Sequence, residues 1–299
     1  MSFVSYAQNF EDVMLWRALK HIEKGFYIDV GAFSPDLDSV TKAFYEKGWR
    51  GINIEPNPQL YEELLQKRSE DINLQCALSD KEGSAEMYFL PNTGLSTLDE
   101  TIAKKHNEQG WNVNLSFVNI CTLAKVCEKY ASNKDIHFLK VDVEGYEKQV
   151  LSGNNWQRYR PWIVVVESTL PMTQIENYQD WESILLGANY IFTYADGLNR
   201  FYVANEHKNL SNAFKYPPNV FDDFVLSSVH QAKIKQDLLQ NKVSSMQSKI
   251  EELTSSNRIG SRPFKTRLTS LILSTKIIML WLTVLHGRQL NHLELWVNL

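Results

Sequence analysis

Between Gly25 and Val166 short apolar runs alternate with segments whose apolar residues recur every three or four positions. The runs are Gly25–Val30, Gly51–Glu55, Ile72–Leu78, Ile136–Val141 and Trp162–Val166. Ser39–Lys47, Gln59–Arg68 and Tyr146–Ser152 between them have the helical period, and Phe10–His21 reads as a helix ahead of the first strand. This alternation predicts a parallel sheet with helices on both faces. Tyr190–Tyr194 and Arg200–Ala204 flank Asp196-Gly197 and predict a closing antiparallel hairpin. The fold class expected is therefore α/β, Rossmann-like, with a mostly parallel sheet. Residues 91–117 are polar, carry Gly94 and Gly110, and fit the alternation poorly. They read as an insertion with a helical piece near Leu98–Lys105, of the kind that forms lids or binding loops.

The pattern changes after Ser228. Val229, Ala232, Gln236, Leu239, Val243, Met246, Ile250 and Leu253 advance in steps of three and four, an a/d seam over about three heptads. Arg258–Arg267 is basic, and Leu268–Leu285 is apolar but broken by Lys276. That break leaves less than the roughly 20 apolar residues a membrane span needs, so a helix lying on a membrane face or packed on a partner is expected. The division expected is a main domain over 1–227, a short coiled coil over 228–257 and a basic-apolar segment over 258–299.

Charge follows this division. Six basic residues (Arg258, Arg262, Lys265, Arg267, Lys276, Arg288) face one acid, Glu294, after position 257, a balance of +5. The total of -4 leaves -9 for the rest. An acidic body is a poor binder of phosphate backbones, so no nucleic-acid partner is expected. Cys76, Cys121 and Cys127 form no metal or disulfide pattern. The first fifteen residues lack a basic region followed by an apolar run, which reads as a cytoplasmic location, with the tail at the inner face of a membrane.

The chemistry concentrates at the ends of the apolar runs. In Phe26-Tyr-Ile-Asp29-Val-Gly31-Ala32 a strand ends in an acid and a glycine follows. Ligands of parallel sheets bind at that end. Asp29 there would face the ammonium of an amino-acid moiety, and Gly31 would let a ligand approach the backbone. Ile52-Asn-Ile-Glu55-Pro56 ends a second run in an acid, suited to accept from two ribose hydroxyls. Together they predict a nucleoside cofactor. The first turn lacks the G-x-G-x-x-G that seats a pyrophosphate, and it carries Asp36 and Asp38. A nicotinamide enzyme is therefore disfavoured, and S-adenosylmethionine, which has no phosphate, is favoured.

A third block, Phe138-Leu-Lys-Val-Asp142-Val-Glu144-Gly-Tyr-Glu147, leads a strand into clustered acids. Asp142 or Glu144 there suits a general base on a hydroxyl, a ligand for the cofactor amine, or part of a divalent-metal site. Glu167, at the end of the next run, is a further candidate. Tyr6, Phe33, Trp111 and Tyr194 are aromatics able to stack on an adenine or a sugar ring.

Four blocks in this order resemble the FkbM-type methyltransferases: Ser5–Asp12, Phe26–Ala32, Gly48–Pro56, and Leu139–Glu147 with Val150–Gly153. The resemblance spans about residues 3–205. It implies a class I fold and methyl transfer from S-adenosylmethionine, usually to a hydroxyl oxygen. It implies cofactor contacts at Asp29, Gly31 and Glu55, with Ala32 and Pro56 beside them, and Gln8 closing over the cofactor. Asp142 and Glu144 match its acidic block. Pro161–Pro171 and Asp196–Val203 resemble a subgroup found beside bacterial glycosyltransferases, which implies a sugar hydroxyl of a surface glycan or a related small molecule as acceptor. In that setting the coiled coil would serve self-association or a glycosyltransferase partner. The alternative is a non-catalytic scaffold of the same fold in a glycan-assembly complex.

Overall fold

The structure is a computed structural model and describes residues 2–91, 93–255 and 273. In chain order the elements are β1 (Phe3–Ser5), α1 (Glu11–Leu19), β2 (Phe26–Val30), α2 (Lys42–Glu46), β3 (Arg50–Ile54), α3 (Pro58–Lys67), β4 (Ile72–Leu74), β5 (Ala77–Leu78) and β6 (Gly83–Phe89). They continue with α4 (Glu100–Glu108), β7 (Asn114–Cys121), α5 (Leu123–Tyr130), β8 (Phe138–Val141), α6 (Glu147–Ser152) and β9 (Ile163–Glu167). The last are α7 (Glu182–Gly187), β10 (Tyr190–Ala195), β11 (Asn199–Ala204), β12 (Phe224–Leu226) and α8 (Ser227–Ser255). The chain divides into two compact units, Met1–Phe224 and Val225–Leu299.

The main sheet of the first unit has the order β10-β11-β9-β8-β2-β3-β4. The strands from β4 to β9 pair in parallel, and β11 and β10 join antiparallel. From β2 the chain winds outward through β3 to β4, then returns to β8 on the other side of β2. The crevice at the carboxyl ends of β2 and β8 is therefore the topological switch point, where open α/β sheets bind ligands.

Alternation along each strand sends its side chains to two different cores. Ile28, Val30, Ile52, Ile54, Leu139, Val141, Val164 and Val166 pack with α5, α6 and α7 residues such as Val126, Leu151 and Leu185. Tyr27, Phe138, Ile163, Val165 and Phe201 face the other way, against Leu15 and Leu19 of α1 and Phe44 of α2. Being apolar on both faces is what made these strands read as continuous runs.

Two parts differ from the expectation. The run Ile72–Leu78 is two strands in two sheets. β4 is the edge of the main sheet, while β5 begins a separate three-stranded sheet of order β5-β7-β6. The polar insertion runs between the two long strands of that second sheet, whose ladder pairs Gly83 with Ile120 and Phe89 with Asn114. One face of this ribbon is buried, with Ala77, Met87, Val118 and Ile120 clustered there together with Ala85, Phe89 and Leu98. Leu115 and Phe117 on the other face are exposed. The helical piece is α4, capped by Asp99, whose carboxylate accepts from the amides of Thr101 and Ile102.

In the second unit α8 is one helix of 29 residues. Of the expected seam, Ala232, Gln236, Leu239, Met246 and Ile250 are half-buried and Val243 is buried, whereas Val229 is exposed; Ser227 and His230, off the seam, are also half-buried. No helix of the described residues is long and apolar enough to cross a membrane. Apart from Leu273, the basic-apolar segment 258–299 with its run Leu268–Leu285 lies outside the described residues.

Candidate active site

Four neighbouring parallel strands bring an acid to the same edge of the sheet. Glu55 follows β3, Asp29 is the fourth residue of β2, Asp142 follows β8, and Glu167 ends β9. The register sets Asp29 opposite Lys140 on β8 and opposite Asn53 on β3. A cavity of about 300 Å³ opens above this edge. Gln8, Asp29, Gly31, Ala32, Glu55, Pro56, Asp142 and Glu144 all line it, whereas Glu167 stands beside Asp142 and Glu144.

Gly31 is in the left-handed region, with φ of 76°. A Cβ there would lie 1.8 Å from the carbonyl oxygen of Asp142. Glycine is thus required by the close approach of the turns after β2 and β8, before any ligand is considered. The Gly31 and Ala32 amides both donate to the Ile54 carbonyl, which binds the same turn to β3.

Asp29 is fully buried. Its Oδ2 accepts from the Thr41 hydroxyl at 3.0 Å, and its Oδ1 has no hydrogen-bond partner, with the Lys140 ammonium 3.6 Å away. Lys140 also donates to the Gly31 carbonyl at 3.0 Å and pairs with Asp142 Oδ2 at 3.2 Å. Burial works against the charge of this ammonium, yet Asp142 and Asp29 hold its pKa above the ordinary lysine value. Burial drives Asp29 upward, opposed by Lys140 and by the Thr41 hydrogen bond. Thr41 connects this pair to a second buried network in which Arg68 reaches Ser39 and Tyr27, and Tyr27 donates to Asp71 at 2.6 Å.

The Glu55 carboxylate is held by two backbone amides, Phe33 to Oε2 at 2.9 Å and Asn57 to Oε1 at 2.8 Å. They fix its rotamer and leave one lone pair on each oxygen for a ligand. Burial pushes its pKa up to about 7 despite these bonds. Gln8 is exposed at the rim. It is placed there by the buried Asp12, which accepts from the Ser5 hydroxyl and from the amides of Tyr6 and Ala7. The block Ser5–Asp12 is therefore a self-capped turn. Glu11, also at the cavity, accepts from the Asn199 side chain at 2.7 Å, which holds the turn to β11.

On the other side of Glu55 the wall is apolar: Leu60, Cys76, Ala77, Leu78 and Met87. This slot, together with Lys140 and Thr41, was missed in the sequence. Ala77, Leu78 and Met87 of the slot come from the second sheet, and the partners of Asp29 depend on strand pairing and on the loop that carries Thr41. Of the four aromatics, Phe33 lines the cavity. Tyr6 donates to Glu46, Tyr194 packs on Phe201, and Trp111 is exposed.

The acidic block after β8 makes a tight turn with Glu144 (φ 54°) and Gly145 (φ 93°) both left-handed. The Glu147 carboxylate accepts from the amides of Val143 and Gly145 and caps it. The insertion closes on this turn: Thr97 donates to the Glu144 carbonyl at 2.9 Å, and a Cβ on Gly145 would meet Ile102 at 2.3 Å. Thr93, Gly94, Leu95 and Ser96 line the cavity beside it. Burial pushes Glu144 up to about 9, reinforced by Asp142 and Glu147. Glu167 is raised well above the ordinary carboxylate range, by burial first and then by Asp142 and Glu144.

A switch-point cavity with an acid on each neighbouring strand and no glycine-rich phosphate turn belongs to the α/β class and suits a ligand without phosphates. The model of the methyltransferase FkbM domain matches residues 29–192 of the chain, more than half its length. The chain belongs to this family, and it is an S-adenosylmethionine-dependent methyltransferase. A similar solved structure is that of M. capricolum TrmK in complex with the natural cofactor product S-adenosyl-homocysteine. It is 10% identical, with 88% of this chain and 97% of that chain covered and a TM-score of 0.32. Among the curated proteins none matches the chain.

Proposed function

We propose that the chain is an O-methyltransferase whose acceptor is a sugar hydroxyl of a surface glycan or a related small molecule. The observation that carries this reading is the set of carboxylates Asp142, Glu144 and Glu167 clustered where the turn after β8 meets the cavity. Hydroxyls are weak nucleophiles at neutral pH, and a carboxylate within reach of the hydroxyl proton meets that need.

The cavity fits the cofactor. Asp29 Oδ1 is buried without a hydrogen-bond partner and suits the ammonium of the methionine end. Glu55 suits the ribose hydroxyls, Gly31, Ala32 and Pro56 the backbone contacts around them, and the slot of Leu60, Ala77, Leu78 and Met87 an adenine. Gln8 closes the rim. When bound, S-adenosylmethionine supplies a methyl group activated on a sulfonium sulfur. The chain's own part is to orient the acceptor and to take up its proton at Asp142 as the new C–O bond forms and the methyl–sulfur bond breaks, the thioether leaving. Thr93–Ser96 of the insertion lie beside that position and are suited to select the acceptor.

In this reading the heptad seam of α8 serves self-association or a glycosyltransferase partner, and the basic segment contacts the inner face of a membrane. The test is mass spectrometry of cell-surface glycans with and without the gene. Loss of one methylene mass from a sugar is expected on deletion. Unchanged glycans, together with methyl transfer from labelled cofactor to a non-sugar acceptor, would remove the sugar from the assignment.

A further inference from the structure

The carboxylates at the ends of β8 and β9 have a feature that a proton acceptor alone does not require. One oxygen each of Asp142, Glu144 and Glu167 lie within 4.8 Å of one another. Glu167 is only 7% exposed, and its Oε2 has no hydrogen-bond partner; Glu144 Oε2 is likewise buried and unpartnered. Asp142 has Lys140, but no ion pair reaches Glu144 or Glu167 among the described residues. Glu147, the next acid along, is already satisfied by backbone amides. Two buried, bare carboxylate oxygens beside a third carboxylate are costly unless a positive charge or shared protons compensate them.

We infer that Asp142, Glu144 and Glu167 form a binding site for one hard divalent cation. All three donors are carboxylate oxygens, the ligand type that selects magnesium, manganese or calcium over softer metals. Oxygens held about 2.1–2.5 Å from one ion lie at most about 4–5 Å apart, so a spread of no more than 4.8 Å reaches calcium as it stands and magnesium or manganese after the side chains close in slightly. The ligands are also built for it. Glu167 is fixed in β9, between β8 and β11. Glu144 is held in a left-handed conformation by the capped turn and by Thr97. Backbone strain of this kind persists where surrounding contacts over-determine it, and it concentrates at functional sites. Three protein ligands leave coordination positions open, and Asp142 and Glu144 turn them toward the cavity. The ion would there hold an acceptor hydroxyl and favour its ionised form, and the Asp142 oxygen not given to the ion would take up the proton. That role rests on the methyltransferase reading, whereas the site itself stands on the carboxylates.

Manganese is the probe, because bound ion loses the sharp paramagnetic resonance signal of free ion. The full chain, stripped with chelator, is titrated with Mn²⁺ in the presence of S-adenosylhomocysteine, and with Mg²⁺ as competitor. One Mn²⁺ per chain, displaced by Mg²⁺, is expected. Glu167→Gln and Glu144→Gln should each weaken it at least tenfold, with circular dichroism unchanged. The exposed Glu86→Gln should leave it as in the parent. Should a Glu167 variant misfold, Glu144→Gln alone carries the comparison. Absence of stoichiometric binding at millimolar Mn²⁺, or binding untouched by the Glu144 substitution, overturns the proposal. Calorimetry of S-adenosylhomocysteine on the same samples separates the two readings. Cofactor binding without Mn²⁺ sinks the metal site alone, and Mn²⁺ binding without cofactor binding sinks the cofactor reading alone.

Discussion

The carbonyl oxygen of Asp142 occupies the space that a side chain on Gly31 would need, 1.8 Å from the position of its Cβ. The turns after β2 and β8 therefore close on each other through a missing methyl group. Gly31→Ala adds a contact with rigid backbone at a left-handed φ, which alone costs about 1–2 kcal/mol. The expected outcome is a lower midpoint of urea denaturation and loss of S-adenosylhomocysteine binding, because Ala32 and Asp29 move with the turn. Ala32→Gly, which creates no clash, should retain binding.

Lys140 joins Asp29, Asp142 and the Gly31 carbonyl at the centre of the site. Removing one partner of a buried pair leaves the other charge uncompensated, at a cost of about 3–5 kcal/mol. Lys140→Met should lower stability on that scale. The double variant Lys140→Met with Asp29→Asn should recover part of the loss, read as a coupling energy in a double-mutant cycle. Strict additivity of the two changes would show that the pair is not coupled.

Glu55 gives a pH dependence with a definite sign. Its pKa in the fold is about 7 against an ordinary 4.5, because burial disfavours the charge. Its contribution to folding stability is thus fullest below about 4.5 and is lost as pH rises through about 7. Cofactor binding runs the other way, since ribose hydroxyls donate to the ionised carboxylate. Affinity for S-adenosylhomocysteine should rise between pH 6 and 8 and level off above, by at most about tenfold per pH unit. Glu55→Gln should flatten this rise, as calorimetry across the range would show.

Asp142→Asn should lower kcat by about 100- to 10,000-fold while cofactor binding persists, the scale of a lost general base. Normal turnover in this variant would place the proton acceptor elsewhere, with Glu167 the next carboxylate along the edge. Loss of cofactor binding in place of turnover would make Asp142 a ligand of the methionine end.

How much of this could be read beforehand depended on burial. Strands β2, β3, β8 and β9 are buried on both faces, so each appeared as an unbroken apolar run, and the acids that end them were visible as interruptions. The second sheet was not visible, because β6 and β7 have one exposed face: β6 shows no continuous apolar run, and the start of β7 falls in the polar stretch 91–117 that read as an insertion. Their inward alternation at Ala85, Met87 and Phe89 was the available signal. Lys140 and Thr41 were hidden for another reason. Their significance lies in the pairing of β8 with β2 and in a loop folding back on Asp29, neither of which has a local signature. The reason for Gly31 also changed. A ligand approach was the expectation, and the nearest neighbour is the chain itself.

The central claim is that Asp29 and Glu55, at the ends of adjacent strands, make a site for S-adenosylmethionine and not for a dinucleotide. Isothermal titration calorimetry of the full chain with S-adenosylhomocysteine and with NAD tests it most directly. One saturable site for S-adenosylhomocysteine is expected, weakened by roughly 1.5–3 kcal/mol in Glu55→Ala, the scale of hydrogen bonds to a charged group, with no NAD binding. Tight NAD binding without a signal for S-adenosylhomocysteine, or an affinity that Glu55→Ala leaves unchanged, would contradict the account.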